Sequence, residues 1–339
     1  MPQHRIIYLD ILRFLATLAV IMLHVSCSAM GIFTDQTSQY VGLAYDDICR
    51  WCVPVFVMIS GSLFLNEEKQ LSISSLYKKN VLRLFVALVS WVVIYFWVFE
   101  PMLHIIKLVP YKTSCFIDVL RGPFDSVAFH LWYLPMIIGL YIILPIMRVI
   151  VNDIKISNYF LIIWFALVCI YSISTDNINY LHFVSVADII GFSGYMILGY
   201  KLSKINIPIN KMVLIVLLFL IFIVTFIAAN NVSNAETIFQ YFNPLVIVMS
   251  ITVYCLIKNN NEKLEKKKWL CKLVVFVRND LFGIYLIHVF YIRLLFRPHF
   301  YVHIPVIFSI PLFTIAVFVA SMITIKVLRR IPIVKYICS

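Results

Sequence analysis

The chain has 339 residues, 63% of them hydrophobic and only 13% charged. A soluble domain carries about 25% charged residues, and no soluble core hides this much apolar surface, so the bilayer has to be the solvent for most of it. The net charge of +12, from 28 Lys and Arg against 16 Asp and Glu, is spread between apolar runs. That excludes a folded nucleic-acid patch and points to orientation in a membrane.

In chain order, stretches long enough to span fall at 9–29, 43–65, 81–102, 131–150, 159–175, 183–202, 211–229, 238–257, 279–297 and 304–327. Each is near the roughly 20 residues that carry a helix across the hydrocarbon, where open backbone cannot sit. The sequence therefore predicts an all-α polytopic membrane protein of about ten transmembrane helices, one domain over 1–339. With the N-terminus inside, only Arg50, Lys107, Lys112, Arg121, Arg293 and Arg297 of the 28 Lys and Arg fall outside. The bias holds loop by loop, and an even number of spans puts both termini in the cytoplasm. Two loops exceed a tight turn. The outer one, 103–130, contains Pro110, Gly122, Pro123 and His130. The inner one, 258–278, is a Lys/Glu run read as a solvated loop that enforces orientation. No internal repeat and no soluble catalytic segment is evident, so any chemistry must sit among the helices.

The first span is short in purely apolar residues (Phe14–Leu23), as in a signal peptide. Its polar residues argue for a retained helix. Asp10, Arg13, Thr17, His24 and Ser28 recur at steps of three, four, seven and four, which places them on one helical face. Arg13 and His24 are three turns apart, about 16 Å along the axis. One lies near the cytoplasmic surface, the other in the outer half. Ionisable groups inside spans are costly and signal function. A packing stripe with Arg13 snorkelling is the structural alternative.

The second span opens with Asp46, Asp47 and Arg50, spaced for an intrahelical ion pair. Alternatively, Arg50 sits at the depth of His24 and stabilises an oxyanion. Pro54, Ser60, Gly61 and Ser62 follow, small residues suited to close helix packing. The fourth span opens with His130, Trp132, Tyr133 and Pro135, where the His faces either the outer cavity or the surface. The ninth carries Asp280, Tyr285 and His288, the last either catalytic or bonded to a neighbouring helix. Eight cysteines are scattered. Cys49 and Cys52 have CxxC spacing, but no second pair or His cluster completes a zinc site, and no metal is expected.

These residues resemble a known family. Arg13 and His24 form an R-x10-H pattern within YLDILRFLATLAVIMLHVS. RWCVPVFVMISGSLFL (Arg50–Leu65), HLWYLPMIIGLYIILPI (His130–Ile146), GYMILGYKLSK (Gly194–Lys204) and FGIYLIHVF (Phe282–Phe290) follow in order. Together they look like the bacterial membrane acyltransferase 3 family, which includes sugar O-acetyltransferases of O-antigen, enterobacterial common antigen and exopolysaccharide. The resemblance implies a multi-pass enzyme of the bacterial cytoplasmic membrane. It would take an acetyl group from cytoplasmic acetyl-CoA and pass it to a hydroxyl of a surface polysaccharide or its lipid-linked precursor. The donor is a substrate, with no cofactor held permanently. His24 matches the family's catalytic His, as general base or acyl carrier. Arg13, with Asp10 one turn earlier, matches the donor side, and Arg50 and His288 complete the candidate catalytic set. Succinyl transfer and export of a glycan or lipid-linked sugar are the alternatives. Export predicts broken helices in pairs and a polar route through several spans, whereas ionisable residues concentrate in spans one, two and nine.

Overall fold

A computed structural model describes residues 6–66, 71–107, 128–174, 186–231, 238–295 and 304–338. Its described residues form helices and no strand, as expected where the backbone has no water to bond. Helix α1 (Ile7–Met30) is followed by α2 (Gln36–Cys49), whose first turn is capped by Asp35 accepting from the Ser38 N–H at 2.9 Å. Next come α3 (Cys52–Phe64), α4 (Ile73–Ile106), α5 (Phe129–Asn152), α6 (Ile154–Ser174), α7 (Val186–Lys204) and α8 (Lys211–Asn231). The chain continues through α9 (Pro244–Asn259), the short α10 (Asn261–Glu265), α11 (Lys268–Val277), α12 (Leu281–Leu295), α13 (Val306–Leu328) and α14 (Pro332–Cys338).

Each of the ten expected stretches falls on a helix. Among the described residues, six pass as membrane-crossing by length and composition: α1, α2 with α3, α4, α5, α8 and α13. The pair α11 and α12, bent by 74°, makes a seventh if counted as one span. Of the remainder, α6 and α9 have shorter apolar lengths, and α7 carries Asp188, Lys201 and Lys204.

Two expectations change. The second span is broken at Arg50 and Trp51 rather than continuous over 43–65. Pro54 accounts for the break: it lacks an N–H, and its ring clashes with the carbonyl four residues earlier, that of Arg50. The inner segment 258–278 is not an open solvated loop. Apolar residues at helical spacing among its lysines make α11 an amphipathic helix, with Val274 and Val277 buried. Of the long outer loop, residues 108–127 lie outside the described residues, and with them Pro110, Lys112, Cys115, Arg121, Gly122 and Pro123. Arg297 lies outside them as well.

The core forms around α1, which packs on α2, α3, α9, α12 and α13. Its apolar window is 61% buried against 22% for α8, so α1 is central and α8 lies at the periphery facing lipid. Behind α3 lies α7, at backbone contact. A Cβ on Gly61 would lie 1.8 Å from the Met196 carbonyl oxygen, and one on Gly199 would lie 2.0 Å from that of Met58. Only glycine admits such an approach, as in small-residue crossings of membrane helices. Next to it the Ser62 hydroxyl reaches the Met58 and Gly199 carbonyls, each at 2.9 Å, and the Tyr254 hydroxyl at 2.7 Å.

Gly61→Ala or Gly199→Ala forces α3 and α7 apart and will destabilise the protein by about 1–3 kcal/mol or more, as for overpacked cores. The check is a thermal melt in detergent. Gly31→Ala is the control, since a Cβ there meets nothing nearer than 3.5 Å, and its melting temperature will be unchanged.

Candidate active site

Three imidazoles meet beside the middle of α12. His24 comes from α1, His288 from α12, and His130 from the 3-10 turn Phe129–Trp132 that opens α5. The His24 ring stacks on His288 at 5.3 Å between centroids, and His130 meets His288 edge-on at 5.1 Å. Phe129 packs edge-on to His24 at 5.1 Å. The π turn Tyr95–Phe99 in α4 turns Tyr95 inward, edge-on to His130 at 5.1 Å, and its hydroxyl donates to the Leu286 carbonyl at 2.9 Å. Such turns are frequent at functional sites.

Carbonyl partners fix two tautomers. His130 Nε2 donates to the Leu286 carbonyl at 3.1 Å, and His288 Nδ1 donates to that of Tyr285 at 2.5 Å. The opposite nitrogens, His130 Nδ1 and His288 Nε2, are buried without a hydrogen-bond partner. The Tyr285 hydroxyl donates to the His130 carbonyl and ties α12 to α5. His288 is 0% exposed, so it is sealed behind His24. His24 is only half-buried and lines a cavity of about 500 Å³. Among the described residues, no group of three or more His, Cys, Asp and Glu side chains is arranged to hold a metal ion.

The cavity joins two chemically different ends. At one end it is lined by His24, His130, Cys52, Trp132, Tyr133 and Tyr241, with Trp132 and Tyr241 stacked at 5.8 Å. At the other it is lined by Arg13, Arg83, Arg278 and Arg329, with Asn80 and Asn279. These cations come from α1, α4, the α11–α12 bend and the end of α13. The Nε atoms of Arg83, Arg278 and Arg329 are buried without a partner. Buried N–H donors left unpaired are costly, and three of them around one mouth suit an anion with many oxygens. Arg329 is steadied by the Asp280 carboxylate, which also takes Lys326 Nζ at 2.7 Å.

The candidates read from the sequence separate into groups. Arg13 and His24 line the same cavity from the same helix face. Asp10 does not line it; its carboxylate lies 3.7 Å from Arg13 Nη1. Arg50 does not line the cavity either. It pairs with Asp46 one turn back and lies over the Phe239 ring at 5.0 Å, so the ion-pair reading describes its contacts. It remains close enough to bear electrostatically on His24. Asp47 faces the other way and accepts from Thr225 at 2.7 Å. His130, which a surface position would have explained, is 1% exposed and lines the cavity. Cys49 and Cys52 are buried free thiols.

Sequence reasoning missed Arg83, Arg278 and Arg329 as site residues, having counted them only towards orientation. The signal was that each sits where a span meets the Arg13 side, and no spacing within one helix shows that they converge.

Comparison with known proteins adds one match. The profile of the acyltransferase 3 family, described as an acyltransferase domain, matches residues 6–326. No curated protein and no solved structure matches the chain. The family match runs from the start of α1 nearly to the end of α13 and takes in every cavity-lining residue named above except Arg329. The chain belongs to the acyltransferase 3 family and is a membrane acyltransferase.

Proposed function

We propose that the protein moves an acetyl group from acetyl-CoA to a hydroxyl of a surface polysaccharide or its lipid-linked precursor, in a bacterial cytoplasmic membrane, with ten spans and both termini inside. The observation that carries this is that one cavity is lined by guanidinium groups towards one end and by His24 towards the other. Along α1 those ends are about 16 Å apart, the scale of a pantetheine arm. Arg13, Arg83, Arg278 and Arg329 hold the donor's phosphates at the cytoplasmic mouth, and the arm lays the thioester beside His24.

His24 takes the proton from the acceptor hydroxyl. The oxygen attacks the thioester carbonyl, the new ester C–O bond forms, the C–S bond breaks, and CoA leaves as the thiol after taking the proton. Transient acylation of His24 is the two-step version of the same transfer. His288, sealed behind His24, acts by positioning it. Arg50, held by Asp46, contributes a fixed positive charge near His24 rather than a direct contact. Stacked Trp132 and Tyr241 offer a flat apolar face to the acceptor.

Mass spectrometry of surface glycans from cells with and without the protein tests the reaction class. An acetyl increment that depends on the protein is expected. An unchanged glycan with altered export overturns the proposal. In membranes with labelled acetyl-CoA, His24→Ala will lower transfer by a factor of about 10² to 10⁴, the range of general-base catalysis. Full activity in that variant would remove His24 from the chemistry. Arg83→Gln will raise the KM for acetyl-CoA by about tenfold or more, the worth of a charged hydrogen bond, while kcat changes little. A fall in kcat with unchanged KM would contradict a role in holding the donor.

A further inference from the structure

Helix α11 has a surface that acyl transfer leaves unexplained. Its Val274 and Val277 are buried against the bundle, and beside them Trp269, Leu273 and Phe276 form a second stripe at i, i+4 and i+7. Trp269 is 66% exposed and Phe276 58% exposed, which no water-facing helix of ten residues would favour. On the third side lie Lys268 and Lys272, and Lys263, Lys266 and Lys267 come just before the helix, all exposed. The only acids in this run are Glu262 and Glu265.

The direction of α11 is set. It lies at 74° to α12, so with α12 across the bilayer α11 runs nearly along its surface. Asp280 at the bend accepts from Lys326 of α13 and from Arg329 just past its end. Lys326 Nζ also reaches the Phe276 carbonyl at 3.0 Å and sits 3.8 Å above the Phe276 ring centroid. A helix held in the membrane plane, with one face on protein, one apolar face open and lysines beside it, has the form of an interfacial helix.

We propose that α11 and the lysines leading into it are a binding site for anionic phospholipid. Trp269, Leu273 and Phe276 enter the acyl boundary, and Lys266, Lys267, Lys268 and Lys272 select the negatively charged headgroups. The adjoining Arg278 and Asn279 line the cavity mouth, so this lipid contact borders the site without being part of it.

The test needs no acyl transfer. The full-length protein is reconstituted in phosphatidylcholine vesicles containing equal fractions of brominated phosphatidylcholine or brominated phosphatidylglycerol. The Trp269 signal is the difference in fluorescence quenching between the native chain and Trp269→Phe. Quenching by both lipids is expected, with anionic lipid enriched around Trp269 on the order of fivefold for each lysine engaged. Replacing the four lysines by Gln abolishes the preference, and replacing them by Arg keeps it. An unquenched Trp269 places α11 outside the bilayer and overturns the proposal. So does equal quenching by the two lipids in the native chain, or a preference that survives the Gln substitutions.

Discussion

The contact on which the rest of the structure depends is the backbone meeting of α3 and α7 at Gly61 and Gly199. Lipid supplies no hydrophobic force between helices, so packing and interhelical hydrogen bonds have to hold them together. Here the crossing does both. Two glycines bring the backbones together, and Ser62 and Tyr254 bond across the seam to the Gly199 carbonyl. Tyr254 then meets Tyr8 of α1 edge-on at 6.0 Å. Four helices are thereby tied at one level. With α3 pressed against α7, its other side faces α1, and the cavity opens where these two meet α4, α5 and α12.

That cavity is expensive to maintain. A cation drawn even partly out of water costs free energy unless it is paired. Asp10 and Asp280 accompany Arg13 and Arg329, yet three guanidinium Nε atoms stay unpaired. At the other end, two imidazole nitrogens are buried without partners. Real proteins break local rules of this kind at functional sites and compensate elsewhere. Both groups of broken rules lie at or just behind the same cavity wall, at its opposite ends.

Much of this was legible in the sequence. Apolar run length located a helix at each expected span, because the bilayer imposes one length on every segment. The single-helix period put Arg13 and His24 on one face, and the structure places both on the cavity. What stayed hidden was whatever depends on convergence between helices. His130 read as well as a surface residue as a cavity one, because only the Leu286 carbonyl of another helix decides its direction. Arg83, Arg278 and Arg329 looked like orientation signals because hydropathy counts charges per loop and carries no information on where loops meet. The break at Arg50 was written in Pro54, four residues on, but a window average of hydropathy passes over a single proline. Helix α11 was masked by its lysines, which dominate composition while the apolar residues keep a helical period.

The arrangement of the imidazoles bears on how His24 comes to present a free ring edge to the cavity. His288 and His130 spend their N–H groups on backbone carbonyls of α12, so their orientation is part of the fold and cannot respond to a ligand. His24 has no such tether on its ring among the described residues. It is held by stacking on His288 and by the edge of Phe129, contacts that fix the plane of the ring but leave its nitrogens to the cavity. A group that must exchange a proton with a visiting hydroxyl needs that combination, a fixed ring with an uncommitted edge. Tethering His24 to a carbonyl, as its neighbours are, would satisfy the local hydrogen-bonding rule and take that edge away from the cavity.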